Sequence, residues 1–322
     1  MIDAAIVGLG RWGRTLVAAV QGKSDGLRFT RAVSRNPDKL RDDAARYRLD
    51  LVSELDAVLR DPSINAVVLA TPHSLHCEQI IAAARAGKAV FCEKPLTLTK
   101  ADAERAINAC REAGVVLGVG TDKRFFPAVG ELLRLAKSGE LGRILHLEAH
   151  FSNEVAGAFA EWRHASEESP AGGMTGTGVH MLDALVALAG PCRRVQSLLL
   201  SHKPPPDPLD SLSTLLEFAS GVSGTLAMVR SSPAYFRLHA FARKASAEVL
   251  GRTELVLRRG GAEPQHVNFP PVDSVRANLE AFAAAVAGGV PYPIPMSDML
   301  DTVAVFEAIA EAAKSDGQVK EL

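Results

Sequence analysis

From the start of the chain to about residue 121, short apolar runs alternate with stretches whose apolar residues recur every three or four positions, the pattern of a doubly wound parallel sheet. The continuous runs predict buried strands at Ile2–Val7, Leu27–Ser34, a short one near Leu51, then Ala66–Ala70, Ala89–Cys92 and Val115–Val119. Between them the 3.6-residue period predicts helices, among them Pro37–Tyr47, His76–Ala86 and Lys100–Ala113. Gly87 and Gly114 follow the last two, where a helix needs a residue that accepts left-handed backbone. Beyond residue 122 the pattern changes. Helices are predicted at Phe126–Lys137 and Gly178–Leu188, and strands at Ile144–Phe151, Val195–Ser201, Ser213–Phe218, Gly224–Arg230, Leu238–Ala242, Ala247–Leu250 and Glu254–Leu257. Helices over Ser274–Ala287 and Ser297–Lys314 close the chain, and His202–Pro208 reads as a rigid Pro-rich loop between strands.

At 322 residues, the two patterns predict two domains, an α/β domain over 1–121 and an α+β domain over 122–322. A formal net charge of −1 gives no electrostatic bias toward nucleic acid or an acidic membrane, which leaves a small molecule as the expected partner. Cys77, Cys92, Cys110 and Cys192 are scattered and form no Cys-x-x-Cys pair, so reduced thiols in a cytoplasm are expected, with neither a disulfide framework nor a zinc site. No signal peptide and no bilayer-spanning run is predicted, and no His, Asp or Glu cluster has metal-ligand spacing.

The first predicted strand runs straight into Gly8-Leu9-Gly10-Arg11-Trp12-Gly13, a Gly-x-Gly-x-x-Gly turn that opens a helix. Gly8 allows the tight turn, Gly10 lets backbone approach a pyrophosphate, and Gly13 lets the helix pack on the sheet, while the helix start offers N–H groups to phosphate. Such a turn also serves packing alone; the strand before it and the helix after it favour a dinucleotide. Ligands of an open parallel sheet bind beyond the carboxyl ends of its strands. There the sequence places Ser34-Arg35-Asn36, Thr71-Pro72-His73, Glu93-Lys94-Pro95 and Thr121-Asp122-Lys123-Arg124. An NAD site usually has a carboxylate after the second strand, whereas here Ser34 stands with Arg35 beside it. A hydroxyl and a guanidinium suit a 2′-phosphate, so NADP(H) is expected, with NAD(H) as the alternative and a merely solvated Arg35 as the plain reading.

Taken together, Gly8–Gly13, Thr71-Pro-His-Ser-Leu-His76 and Ala86-Gly-Lys-Ala-Val-Phe-Cys-Glu-Lys-Pro95 resemble the glucose-fructose oxidoreductase, inositol dehydrogenase and rhizopine-catabolism (Gfo/Idh/MocA) family. Arg124-Phe-x-Pro127, Gly139-x-x-Gly142, Trp162-Arg163, Gly172-Gly173 and Gly178-Val-His-Met-Leu-Asp183 extend the resemblance over essentially the whole chain. It implies a Rossmann domain followed by a domain with a large, mostly antiparallel open sheet, and an oxidoreductase acting on a sugar, polyol or related hydroxy compound. An apolar sheet face that pairs subunits into a dimer or tetramer is also implied, as is a C-terminal helix returning to the first domain.

By the same resemblance, Lys94 is the catalytic lysine, and a cis peptide precedes Pro95. Oxidation at a carbinol carbon needs loss of the hydroxyl proton, and a partly desolvated lysine beside a cationic nicotinamide is suited to take it. Glu93 could orient Lys94, and His76 organises the turn that begins at Thr71 and Pro72. His180 matches a second proton-transfer position; by itself, a histidine on an apolar helix is more often a satisfied core residue. Arg124, Arg163 and Asp183 are candidates to bind substrate; Arg163 has the alternative of packing on Trp162, and Asp183 those of orienting His180 or making a buried structural hydrogen bond. In one place the chain departs from the family. Many members carry an aspartate four residues before the histidine, where this sequence has Gly176. The pocket must therefore differ, and a cofactor-binding regulator without catalysis, or a glycoside hydrolase retaining NAD, stands as the alternative.

Overall fold

The computed structural model describes residues 1–153, 167–201, 210–315 and 317–322. Two compact units emerge: Met1–Asp122 with Asp273–Leu300, and Lys123–Val272 with Asp301–Leu322. Trp162, Arg163 and the Pro-rich stretch His202–Pro208 lie outside the described residues.

In the first unit the elements run β1 (Ile2–Val7), α1 (Arg11–Val20), β2 (Leu27–Val33), α2 (Arg41–Tyr47), β3 (Asp50–Val52), α3 (Leu55–Leu59), β4 (Ala66–Leu69), α4 (His76–Arg85), β5 (Ala89–Cys92), α5 (Lys100–Ala113) and β6 (Leu117–Val119). The strands form a parallel sheet in the order β3-β2-β1-β4-β5-β6, so the chain starts in the middle and winds outward both ways. β4 and β5 are buried at every position because helices cover both faces, which is why they read as unbroken apolar runs. Gly87 (φ 70°) and Gly114 (φ 65°) take the left-handed backbone expected where α4 and α5 stop.

The second unit holds α6 (Pro127–Lys137), β7 (Ile144–Ser152), α7 (Gly178–Ala189) and the strands β8 (Cys192–Ser201), β9 (Asp210–Phe218), β10 (Ser223–Val229), β11 (Tyr235–Ala242), β12 (Ala245–Leu250), β13 (Glu254–Arg259) and β14 (Gln265–Asn268). The chain continues through α8 (Ser274–Val286), α9 (Met296–Lys314) and β15 (Lys320–Glu321). Its sheet has nine strands in the order β14-β13-β12-β11-β7-β10-β9-β8-β15, antiparallel except for the central β7–β10 pair. Alternation along these strands buries Leu147, Ala149, Leu226 and Met228 on the side that carries α7. The opposite side presents exposed Leu198, Leu200 and Leu215, and an ion network in which Arg237 meets Glu148 and Glu248, and Arg258 meets Glu248.

The segment that returns to the first unit is Asp273–Leu300, led by α8. Phe282 of α8 stacks edge-on against Phe91 of β5 at 5.6 Å and both are fully buried, each burial worth about 1.5–3 kcal/mol. Asn278 donates to the Val119 carbonyl at 2.9 Å, which anchors the helix beside β6. Among the described residues no helix is long and apolar enough to cross a membrane, and no group of three or more His, Cys, Asp or Glu could hold a metal.

Candidate functional site

The carboxyl edge of the first sheet carries nearly all of the polar clusters singled out above. Gly8 turns out of β1 with φ 93°, and a Cβ there would sit 2.6 Å from the Ala70 carbonyl oxygen. A Cβ on Gly13 would overlap the Gly8 carbonyl, so α1 can start this close to the turn only with glycine at that place. Gly10 precedes α1 in extended backbone, offers no side-chain cap, and has open space where a Cβ would be. That combination fits a phosphate, which needs both N–H groups and room for close approach.

Beyond β2, the Ser34 hydroxyl accepts the Asn36 N–H at 3.2 Å and keeps its own proton to donate. Arg35 is exposed and has no ion-pair partner among the described residues. After β4, the Thr71 hydroxyl donates to Gln79 at 2.7 Å, and fully buried His76 spans the turn: Nδ1 is 3.0 Å from the Pro95 carbonyl and Nε2 3.2 Å from that of Thr71. His76 thus ties the Thr71-Pro72 turn to the Lys94-Pro95 bond, which is cis. The Thr121 hydroxyl, after β6, is buried without a hydrogen-bond partner among the described residues, a polar atom suited to a ligand group.

Lys94 is half-buried directly after β5. Its backbone N–H donates to Glu93 Oε2 at 3.3 Å, and the Glu93 carboxyl lies against Gly120 so closely that a Cβ there would be 2.5 Å from Oε1. Burial pushes the Glu93 carboxyl up to about 7; the Lys94 charge and the nearby Trp12 indole oppose the rise, and Asp122 adds to it. Asp122 is itself buried and accepts the Ser274 hydroxyl of α8 at 2.6 Å. The glycine turn, through Trp12, and the Glu-Lys-Pro element, through Glu93, therefore belong to one cluster on this edge.

In the second unit His180 is buried in the first turn of α7, with its ring 6.4 Å from that of Phe151. Asp183, one turn on, is clamped by Arg124: Nε donates to Oδ2 at 2.8 Å, and Nη2 donates to Oδ1 and to the Asp183 carbonyl at 2.9 Å each. The side chains are 8% and 2% exposed, so this is a buried fork-to-fork pair that fixes the helix bearing His180. Of the sequence readings of Asp183, the structure shows the buried hydrogen bond, and its partner is Arg124, itself a candidate substrate ligand. Gly120 and Ser274 escaped the sequence reading because contacts far apart in the chain define their surroundings. Arg230 also escaped it, although the alternation Leu226, Met228, Arg230 places an arginine at an inward position.

A doubly wound unit with a glycine turn suited to phosphate, in one chain with a unit built on a large, mostly antiparallel sheet, is the architecture of a dinucleotide-binding protein with a second domain. Residues 2–121 match the family model of oxidoreductases with an NAD-binding Rossmann fold, and residues 129–252 match the GFO/IDH/MocA C-terminal domain. The chain belongs to the Gfo/Idh/MocA family. It is 32% identical to the 2,7-anhydro-N-acetylneuraminate hydratase of Escherichia coli K12 over 232 residues, 70% of this chain and 61% of that protein. It is 29% identical to the scyllo-inositol 2-dehydrogenase (NAD(+)) of Bacillus subtilis 168 over 284 residues, 83% of this chain and 76% of that one. The matched stretch spans between 50% and 61% of the first three curated relatives' own length. Among solved structures, an aldose-aldose oxidoreductase from Caulobacter crescentus complexed with glycerol superposes with a TM-score of 0.87 at 26% identity, covering 100% of this chain and 99% of that one.

Proposed function

We propose that this chain is an NADP(H)-dependent oxidoreductase that transfers a hydride between nicotinamide and a carbinol or carbonyl carbon of a sugar, polyol or related hydroxy compound. The observation that carries the reading is Lys94: a half-buried amine at the carboxyl edge of β5, on the same edge as the glycine turn and next to a carboxyl raised to about 7. When bound, the nicotinamide supplies the hydride acceptor in the oxidative direction and the donor in reverse. Lys94 takes the hydroxyl proton as the carbonyl forms and returns it in the opposite direction. His180 is the second proton-transfer group. The Arg124–Asp183 pair positions it by fixing α7, and the Ser34 hydroxyl with the Arg35 guanidinium holds the 2′-phosphate.

The Bacillus subtilis relative is named for NAD(+), so cofactor choice is part of the test. Purified protein is assayed by nicotinamide absorbance with NADP and NAD, in both directions, across sugars, polyols and hydroxy acids. Turnover with NADP favoured over NAD is expected. Tight binding of the cofactor with no turnover on the whole panel would overturn the reading in favour of a cofactor-binding regulator, a role that the glycine at position 176 would suit.

A further inference from the structure

Arg230 is a charged side chain in a place where charge is costly. It stands one residue past β10, and two-residue alternation from Leu226 and Met228 puts it on the side of the sheet that carries α7, where it is 7% exposed. Two glycines make room for it. A Cβ on Gly173 would overlap Arg230 Cδ and lie 2.8 Å from Nε and Nη1, and a Cβ on Gly176 would lie 2.9 Å from Nη1. Neither glycine is left-handed; Gly176 has φ −85° and ψ −44°, a backbone open to any residue. Turn geometry therefore does not call for glycine at these positions. Any larger residue at 173 would collide with the Arg230 side chain, and one at 176 would press on its tip.

The same corner leads directly into the helix of His180. Thr177 donates its hydroxyl to the Gly173 carbonyl at 3.2 Å, and the His180 N–H donates to the Thr177 carbonyl at 3.2 Å. The His180 ring lies 6.4 Å from Phe151, whose register partner across the parallel β7–β10 pair is Met228. His180 and Arg230 thus share one side of the sheet, near the ends of neighbouring strands. Arg124, also in this unit, commits Nε and Nη2 to Asp183.

We propose that Arg230 selects the substrate by binding a carboxylate, so that the substrates are sugar acids or related hydroxy acids in preference to neutral polyols. This rests on the oxidoreductase reading above. A guanidinium presents five N–H donors in a planar fork, enough to keep an internal partner and still offer a pair to a carboxylate. With water largely excluded, such charge-assisted bonds gain strength, and a neutral substrate cannot supply them. Glycine at 176 completes the change of sign: where an acceptor for hydroxyl groups would stand, the chain places a cationic donor.

The test uses matched pairs, D-glucuronate with D-glucose and D-gluconate with D-glucitol, turned over with NADP or its reduced form by the wild type, Arg230→Gln and Arg230→Lys. The wild type should show kcat/KM at least about tenfold higher for an acid than for its neutral partner. Arg230→Gln should bring that ratio near one, and Arg230→Lys, which keeps the charge and loses the fork, should raise KM for the acid several-fold. A wild type that prefers the neutral partners, or an acid-to-neutral ratio unmoved in the variants, overturns the proposal and marks Arg230 as structural. Should no compound be turned over, the oxidoreductase reading fails separately, and thermal shift of the NADPH-loaded protein decides this one. A rise in midpoint with glucuronate or gluconate that Arg230→Lys or Arg230→Gln reduces supports it; no rise in the wild type overturns it.

Discussion

Glutamine in place of Glu93 should stabilise the protein at alkaline pH relative to the wild type and have far less effect at pH 5. The Glu93 carboxyl is buried beside Asp122 and titrates near 7, burial being the main cause, against an ordinary value of 4.5. Between those values the folded state holds a proton that the unfolded chain has released, so its contribution is fully present below 4.5 and is lost as pH rises through 7. At 1.36 kcal/mol for each tenfold change in affinity, the gap corresponds to about 3 kcal/mol by pH 8. Glutamine keeps an acceptor for the Lys94 N–H and has no charge to desolvate. For a chain of this size, 1 kcal/mol moves the melting midpoint by about 2–4 °C, so the midpoint difference between variant and wild type should widen by several degrees from pH 5 to pH 8. Comparing the two proteins cancels the titration of groups that do not interact with Glu93. Melting curves that stay parallel across this range would show that Glu93 ionises like a solvated carboxylate, and would refute the reasoning from burial.

Other expectations follow from single contacts. Arg124→Met leaves the buried Asp183 carboxylate without its fork and should cost about 3–5 kcal/mol in urea unfolding, most of it regained in Arg124→Met/Asp183→Leu; a single variant within about 1 kcal/mol of the wild type contradicts this. The thiols of Cys77, Cys110 and Cys192 are pushed up to about 11, 12 and 11, and that of Cys92 is also raised well above its ordinary value, in each case chiefly by burial. A thiol reagent at pH 8 should therefore leave the native protein unmodified and count four thiols in denaturant; rapid modification of the native chain would contradict it. Arg35→Ser should weaken NADPH binding by about tenfold or more and leave NADH binding nearly unaltered, and equal weakening of both would remove Arg35 from the 2′-phosphate site.

Much of the fold was legible because the two units obey different simple periodicities. Strands buried on both faces, such as Ala66–Leu69 and Ala89–Cys92, can only be written as apolar runs, and glycines such as Gly87 and Gly114 mark helix ends by a conformation other residues avoid. The edge strand Gln265–Asn268 left no such trace because its side chains face solvent and its pairing with β13 is made by backbone. The short helix Leu55–Leu59 is too brief to show a period. In the candidate site, the glycine turn, Ser34-Arg35 and Glu93-Lys94 stand out in the sequence because each follows the carboxyl end of a predicted strand. What was not readable depends on partners distant in sequence. Arg124 and Asp183 are 59 residues apart, and only the folded unit shows that each answers the other's charge. Asp122 meets Ser274 across 152 residues, through a helix that leaves the first unit's sequence and returns to its structure. Gly176 reads as a loss in the sequence, whereas in the structure a Cβ there would lie 2.9 Å from the Arg230 guanidinium.

In the proposed mechanism Lys94 transfers the substrate's hydroxyl proton while other groups hold the cofactor. Single-turnover and steady-state rates of Lys94→Ala on the best substrate found, alongside a fluorescence titration of NADPH, separate the two roles. Turnover should fall by about 10²–10⁴-fold, with NADPH affinity close to that of the wild type. Turnover equal to that of the wild type would contradict this mechanism.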